Sequence, residues 1–514
     1  MMLSRSLNLF VASALIAAVM ATSVAAQTPS ERRGALFEQT LRDELTGARA
    51  LVDHDFVAAE AAYRRAWRTH LKIDPPSSAD TATAAAGLAM ALDTLDRDDE
   101  AATLLEQAIA ARAQAPDGGG ETLAYLYGAQ GRLYDGVDRA RARQAYEAAI
   151  QIDRALPGRL AQMVFNLSAL ADILNAMSRP EEALARAGWA AAIAERLGES
   201  IPRVVALVSL AEAKRLLGRP EAAIRDLRTA QALSPTPEEN VLTALARSQY
   251  ATGDFSSAAE TANRAIAAWE TLGPDGAQGH ARTIGVLANI RSAQGHFDEA
   301  ESLYRRALAL ARAADDPAAV MTVQVNMADT LSLDGRFAEA EPLLRQALAD
   351  VPRIEGADSR NIGYVGALLA NNLQAQGRDD EAIPYYEGAI RVIGRSLGDE
   401  HPSLASTVGD MARSAAAARG EAAADPFYRR AMALSARLPR GHPDAAIVTQ
   451  DFARHRLRLG EPLEALTLLR PAAASALSRG GRNPAARADP SFNRVRSLFR
   501  LQVEAAWSQA ARTG

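Results

Sequence analysis

The chain has 514 residues, of which 48% are hydrophobic and 23% charged, so it can build a substantial core and is not disordered as a whole. Its net charge of -5 and its pI near 5.9 give no electrostatic reason to expect binding to nucleic acid or to an anionic membrane. The absence of cysteine excludes disulfides, thiolate nucleophiles, thiolate zinc sites and a lipid-modified N-terminal cysteine.

The first element is a predicted secretory signal peptide, residues 1–26. Arg5 supplies a short basic region, an apolar run extends from Leu7 to Ala21, and small residues precede a cleavage site after Ala26. A retained anchor is the alternative, but the run is shorter than the ~20 residues that span a bilayer. We therefore expect a periplasmic or secreted mature chain with no membrane span.

Residues 27–478 are predicted to be an array of repeated helical units. The stretches GHFDEAESLYRRALAL, from Gly295, and GRFAEAEPLLRQALAD, from Gly335, are nearly the same. Successive copies are 35 to 42 residues apart. Each copy contains an alanine at the same place, which we call the anchor: Ala59, Ala101, Ala142, Ala183, Ala223, Ala258, Ala300, Ala340, Ala382, Ala424 and Ala465.

Each anchor belongs to a predicted helix hairpin. A second alanine follows each anchor by seven residues, so the two lie on one helix face, two turns apart. A bulky residue such as Tyr304 stands four after the anchor, and a small residue usually stands twelve before it, in an upstream helix. Glycines such as Gly295 and Gly377 mark the end of that upstream helix. Since one hairpin cannot bury both of its faces, the hairpins are expected to stack.

This order of small, large and small residues resembles the tetratricopeptide repeat. The long spacing, with a proline before the next unit at Pro317, Pro402 and Pro443, resembles the kinesin light chain variant of that repeat. The resemblance implies an all-α, right-handed superhelical solenoid of about eleven helix-turn-helix units. It also implies a concave groove, lined by the first helix of each unit, that binds a protein or peptide.

In that family the residue eleven positions before the anchor commonly reaches a ligand, and a second row lies fourteen before it. Asparagine can both donate to and accept from a peptide backbone, and arginine can bond a carboxylate through two N–H groups. The alternative is that these polar residues only keep an exposed face hydrated. The predicted peptide-binding groove consists of Asp172, Glu212, Arg247, Asn289, Asn326, Asp329, Asn371, Asp410, Arg413, Asp451 and Arg454.

The chain ends in a predicted linker and a predicted capping helix. Residues 479–489 are rich in glycine, proline and arginine, which is typical of a loop. Residues 490–514 are predicted to cap the last repeat. The run LFRLQVEAAW also resembles the segment that joins tetratricopeptide arrays to CHAT protease domains in some bacterial proteins. The apolar stripe of the capping helix is predicted to be Val495, Leu498, Phe499, Val503, Ala506 and Trp507.

Motifs that carry chemistry are weak in this chain. GRSLG, from Gly394 to Gly398, has the spacing of a nucleophile elbow around Ser396, but no strand is predicted before it. The histidines form no HExxH motif, no Walker loop is present, and Asp53-His54-Asp55 is interpreted as a solvated turn. We predict no catalytic residue, no cofactor and no metal.

The sequence therefore predicts a non-enzymatic scaffold or adaptor of the cell envelope that binds a protein or peptide in its groove. The alternative is a regulatory subunit of a separate enzyme, such as a CHAT-type protease split from its repeat region. Self-association of the array is a variant of the first prediction.

Overall fold

The computed structural model describes residues 31–53, 55–95, 97–135, 138–177, 179–234, 238–356, 359–399, 401, 404–438, 443–480 and 490–513. The predicted signal peptide lies outside these residues, as does most of the predicted linker. The chain divides into two compact units, the first up to Ala319 and the second from Val320.

The described residues form twenty-three α-helices and no β-strand, which confirms the all-α prediction. No helix among them combines the length and the apolar character needed to cross a membrane. In chain order the helices are α1 Glu31–Val52, α2 Phe56–Ile73, α3 Ala79–Asp93, α4 Asp98–Ala113, α5 Gly120–Tyr134, α6 Arg139–Ala155, α7 Leu160–Ala176, α8 Pro180–Leu197, α9 Ser200–Leu216, α10 Pro220–Leu233, α11 Glu239–Ala251, α12 Phe255–Glu270, α13 Ala277–Ala293, α14 Phe297–Ala313, α15 Pro317–Leu333, α16 Phe337–Glu355, α17 Asn361–Ala375, α18 Asp379–Leu397, α19 Leu404–Arg419, α20 Glu421–Ser435, α21 Pro443–Arg458, α22 Pro462–Gly480 and α23 Pro490–Thr513.

The helices pair into eleven hairpins, from α1–α2 to α21–α22, and α23 follows them. Each of the eleven anchors lies in the second helix of its hairpin and is 0% exposed. Small side chains are required there because the facing helix approaches closely. The bulky residues four positions later are buried as well, and Tyr63, Tyr304 and Tyr386 are among the largest fully buried side chains in the described part of the chain. The repeat alignment made from the sequence is therefore confirmed by packing.

Glycine ends several of the first helices in a left-handed conformation. Gly295, Gly335 and Gly377 have φ values of 80°, 81° and 73°. In the last of these turns the Arg378 amide donates to the Leu373 carbonyl at 2.9 Å, which satisfies a carbonyl that the helix end leaves open. Glycine is favoured because a Cβ atom in this backbone conformation is strained. The tight turn brings the second helix back along the first.

Within each unit the first helices line the inner side of the array. The first helices of neighbouring hairpins contact each other, as α7 and α9 do in the first unit and α19 and α21 in the second. Contact between the second helices of neighbouring hairpins is far sparser among the described residues. Elements that are closer together on one side of a stack make that side concave. The first helices, which carry the predicted groove residues, therefore form the concave surface.

Helix α23 packs against α22 and also touches α21, but its buried face differs from the predicted stripe. Leu501 and Ala505 are buried against Leu466 and Leu469 of α22. Val503 is 57% exposed, Trp507 is 75% exposed and Ala506 is also exposed, so the predicted stripe was wrong for these three residues. Apolar residues occur on more than one side of this helix, and contact with α22 selected the face of Leu501. The side chains of Val495 and Leu498 lie outside the described residues.

Candidate functional site

All eleven predicted groove residues lie on first helices. In the first unit α7 carries Asp172, α9 Glu212, α11 Arg247 and α13 Asn289. In the second unit α15 carries Asn326 and Asp329, α17 Asn371, α19 Asp410 and Arg413, and α21 Asp451 and Arg454. Ten of the eleven are exposed or half-buried, and only Asp451 is buried. The predicted row therefore faces the concave side, although several of its members are engaged with neighbouring side chains.

In the first unit Glu212 joins two arginines. Arg215 donates two hydrogen bonds to its carboxylate, at 2.9 and 2.7 Å, and Arg247 Nη2 lies 3.0 Å from Glu212 Oε1. Burial alone would raise the pKa of the Glu212 carboxyl, but Arg247 and Arg215 lower it to about 2. Glu212 and Arg247, predicted as separate contacts for a ligand, thus already satisfy much of each other's charge.

The same concave surface is acidic on its earlier helices and basic on its later ones. Enclosure by the surrounding protein, a hydrogen bond from Ser209 that acts in the opposite direction, and the nearby acidic Asp135 and Glu212 together raise the pKa of Asp172 to about 7. Asp135, at the end of α5, has its pKa raised by burial, while Arg282 of α13 acts to lower it. The positive charge of Arg282 therefore favours the ionised form of the Asp135 carboxyl.

Two of the predicted asparagines have a structural partner. Tyr304 donates its hydroxyl to Asn289 Oδ1 at 2.5 Å, and Tyr386 donates to Asn371 Oδ1 at 2.6 Å. In both hairpins the tyrosine stands four residues after the anchor and the asparagine eleven before it. The asparagine carbonyl therefore satisfies a buried hydroxyl, and its amide NH₂ group remains a donor on the concave side.

The second unit contains a pocket of about 340 Å³ on the concave surface. It collects side chains from five consecutive helices, α17 to α21. Three of the predicted groove residues line it, and five further residues were missed from sequence. The lining residues are Gln374, Asp379, Arg413, Ala417, Tyr428, Asp451, Arg454 and Arg458.

An ion network forms the floor of this pocket. Arg413 donates to Asp451 Oδ2 at 2.6 Å and to Gln374 Oε1 at 3.3 Å, and its Nη2 lies 2.8 Å from Asp410 Oδ1. Arg454 donates to the other Asp451 oxygen at 3.1 Å. Both Asp451 oxygens are thus occupied by arginines from α19 and α21. Each of these side chains is held by a partner on the neighbouring hairpin or on the next turn of its own helix. The network is therefore preorganised.

Arg454 and Arg458 supply the free donors at the pocket wall. They are four residues apart and so lie on one face of α21, and both are exposed. Arg454 uses one N–H group on Asp451, and Arg458 Nη1 lies 3.1 Å from Glu421 Oε1, which leaves several of the five donors of each guanidinium available. Such a pair can bond a carboxylate. The i, i+4 spacing of Arg458 from the predicted Arg454 was the sequence signal that would have found it.

The weaker motifs take ordinary helical positions. Ser396 of the GRSLG stretch lies inside α18, so its backbone does not form the strand-to-helix turn that a nucleophile elbow requires. Asp55 of the Asp53-His54-Asp55 stretch accepts a hydrogen bond from the Ala58 amide at 3.0 Å and caps α2. His54 lies outside the described residues.

The model of the tetratricopeptide repeat family matches residues 237–313, 280–353 and 364–437. No curated protein matches the chain. A solved structure of a Podospora anserina putative kinesin light chain with nearly identical TPR-like repeats is 24% identical, with 39% of this chain and 97% of that chain covered and a TM-score of 0.34.

Two other solved structures cover more of the chain. Rap protein complexed with competence and sporulation factor is 15% identical, over 67% of this chain and 98% of that chain, with a TM-score of 0.45. Yeast Tom70 is 13% identical, over 92% of this chain and 97% of that chain, with a TM-score of 0.43. At these identities and scores the similarities say nothing about what this chain binds.

Proposed function

We propose, from the premise that this chain contains tetratricopeptide repeats, that it is a non-enzymatic scaffold that binds a protein or peptide partner on its concave side. Within each compact unit the stacked hairpins give a preformed surface, so the scaffold itself loses little conformational freedom on binding. The partner is an extended segment that makes many modest contacts with the first helices.

The observation that carries this proposal is the arginine-walled pocket of the second unit. Arg454 and Arg458 present unused N–H donors side by side, while Asp451 and Arg413 hold the floor rigid. Charge-assisted hydrogen bonds between a guanidinium and a carboxylate are among the strongest that a surface pocket offers. The partner segment therefore carries a carboxylate, from an acidic side chain or a C-terminus, that enters this pocket.

We further propose that the scaffold works in the cell envelope. The support is the pattern of residues 1–26, with its basic start, apolar run and small residues before Gln27. The absence of cysteine is compatible with an oxidising compartment, where a free thiol is a liability.

The groove proposal is tested with a peptide selected from a random display library against the wild-type protein. Its dissociation constant is measured by fluorescence anisotropy for wild type and for Arg454→Gln/Arg458→Gln. Loss of hydrogen bonds to a charged group costs about 1.5–3 kcal/mol each, so we expect at least about tenfold weaker binding. Amidation of the peptide carboxylate should weaken binding to wild type by a similar factor.

A matched control is Arg225→Gln/Arg228→Gln, which removes two exposed arginines from the second helix α10 of the first unit. This control loses the same net charge and should bind the peptide as wild type does. Equal affinity of wild type and the pocket variant, or failure to select any carboxylate-containing peptide, would contradict the proposal.

A regulatory subunit of a separate enzyme, such as a CHAT-type protease, is the second candidate. It is favoured by α23, which exposes Trp507 and Val503 on the side away from α22. Exposed aromatic and aliphatic side chains of this kind are typical of surfaces that a protein partner covers. An enzyme bound at α23 would be retained by Arg454→Gln/Arg458→Gln, so the pocket variant separates the two candidates.

A further inference from the structure

We propose that His70, Asp74 and Asp80 form a binding site for a divalent transition-metal ion such as Zn²⁺. Each side chain offers one ligand atom, and these atoms all lie within 4.8 Å of one another. One imidazole nitrogen with two carboxylate oxygens is a ligand set that zinc accepts, with the fourth position left to water. The site lies in the first unit, where α2 turns into α3.

The ends of two helices hold the three side chains in place. His70 lies in the last turn of α2, and Asp74 is the residue that caps this helix, with its amide donating to the His70 carbonyl at 2.7 Å. Asp80 lies in the first turn of α3, which Ser78 caps by accepting from the Thr81 amide at 3.1 Å. His70 and Asp74 are four residues apart, one turn of helix, and the α2–α3 turn returns the chain to place Asp80 beside them.

Buried Glu44 of α1 fixes the orientation of the histidine. Glu44 Oε1 lies 3.2 Å from His70 Nε2, and Asp74 Oδ2 lies 3.1 Å from His70 Nδ1. His70 is 1% exposed and Glu44 is also buried. When Nε2 donates its proton to Glu44, the lone pair of Nδ1 faces the Asp74 carboxylate and is the one that would bind the ion. A carboxylate behind a ligating histidine is the arrangement by which metal sites fix the tautomer of the ligand.

The ligand atoms of His70, Asp74 and Asp80 would reach the distances of a zinc site if their side chains moved closer together. Ligand atoms about 2.0–2.2 Å from a tetrahedral zinc ion lie roughly 3.3–3.5 Å from one another. The Nδ1 to Asp74 distance is already close to this value. Asp74 and Asp80 are half-buried, so their side chains can rotate toward the ion, and water can reach the fourth position.

A second buried histidine in the described part of the chain also bridges two carboxylates, with a different set of neighbours. His455 lies between Glu421 and Asp425, at 2.6 and 3.3 Å. There Arg458 pairs with Glu421 and Arg456 pairs with Asp425, so arginines balance both carboxylates. At Glu44 burial raises the pKa of the carboxyl, the acidic Asp80 and Asp43 add to this effect, and His70 acts to lower it. A divalent cation bound by His70, Asp74 and Asp80 would add positive charge beside the Glu44 carboxylate.

The test uses the full chain stripped of metal by a chelator. Isothermal titration with Zn²⁺ should show one tight site per chain, and Co²⁺ should give the visible absorption bands of a four-coordinate ion. Asp74→Asn and Asp80→Asn should each weaken Zn²⁺ binding by at least about tenfold. These half-buried residues are chosen because replacing buried His70 risks unfolding the hairpin.

Asp99→Asn is the matched control, because Asp99 is an exposed carboxylate in the first turn of α4 as Asp80 is in the first turn of α3. It should bind Zn²⁺ as wild type does, and circular dichroism should show equal helicity for all variants. Absence of a stoichiometric site, or equal Zn²⁺ affinity of Asp74→Asn/Asp80→Asn and wild type, would overturn the proposal. Either result would leave His70 as a protonated bridge between Glu44 and Asp74.

Discussion

At the scale of the residue, the side chain eleven positions before the anchor can satisfy the hydroxyl of the buried tyrosine in the same hairpin. In two hairpins this position is Asn289 or Asn371, and each accepts the hydroxyl of the tyrosine in the same hairpin. In the first hairpin it is Ala48, and the buried hydroxyl of Tyr63 has no hydrogen-bond partner among the described residues. The asparagines therefore serve the core as well as the concave surface.

We predict that Asn371→Ala lowers the free energy of unfolding by about 1–3 kcal/mol, because it leaves the Tyr386 hydroxyl buried and unpaired. Adding Tyr386→Phe removes that hydroxyl, so the double variant should be more stable than the sum of the two single losses predicts. Urea denaturation of the four proteins measures this coupling. Tyr63→Phe, which removes a hydroxyl with no partner in the described part of the chain, should cost little stability.

Additive losses for Asn371→Ala and Tyr386→Phe would show that the 2.6 Å hydrogen bond between them contributes nothing to stability. A large loss for Tyr63→Phe would show that its hydroxyl has a partner after all.

At the scale of the hairpin, the backbone conformation at a position decides whether glycine or alanine is the more stable residue there. Gly377 ends α17 with a φ of 73°, and at Gly388, inside α18, no atom from another element of the described residues lies within 4 Å of the place a Cβ would take. The two glycines belong to one hairpin but meet opposite requirements. At Gly377 the turn needs the left-handed conformation, whereas at Gly388 the helix would prefer alanine.

We predict that Gly377→Ala lowers the free energy of unfolding by about 1 kcal/mol, since alanine pays to enter the left-handed region. Gly388→Ala should raise it by roughly 0.5–1 kcal/mol, because it removes backbone freedom from the unfolded chain. Thermal unfolding of the two variants beside wild type measures both effects. Shifts of the same sign would mean that the turn does not depend on glycine.

At the scale of the whole molecule, the proposed envelope location depends on residues 1–26. We predict that a bacterial host with two membranes exports the full chain and that the mature protein begins at Gln27, because Ala26 ends a signal peptide pattern. Cell fractionation and N-terminal sequencing of the exported protein measure this. Ala26→Arg should block cleavage, and Thr22→Ala, further from the cleavage site, should not. A full-length chain that stays in the cytoplasm would refute export.

The sequence by itself determined the hairpins of this protein. Anchors such as Ala340 and Ala382 recur with a fixed spacing, and each small residue has to admit the same neighbouring helix, so one alignment located all eleven hairpins and their buried positions. The first-helix location of the groove row also followed from that alignment, because position in the repeat fixes position on the concave side.

Only the tertiary structure decided which polar residues meet. Arg413 and Asp451 are 38 residues apart, and Glu44 and His70 are 26 apart, so no local pattern joins them. The buried face of α23 was also decided by its contact with α22, because its apolar residues do not all lie on one side. A repeat fixes the backbone period, but the partners of a charged side chain depend on rotamers and on the neighbouring hairpins, which the period does not encode.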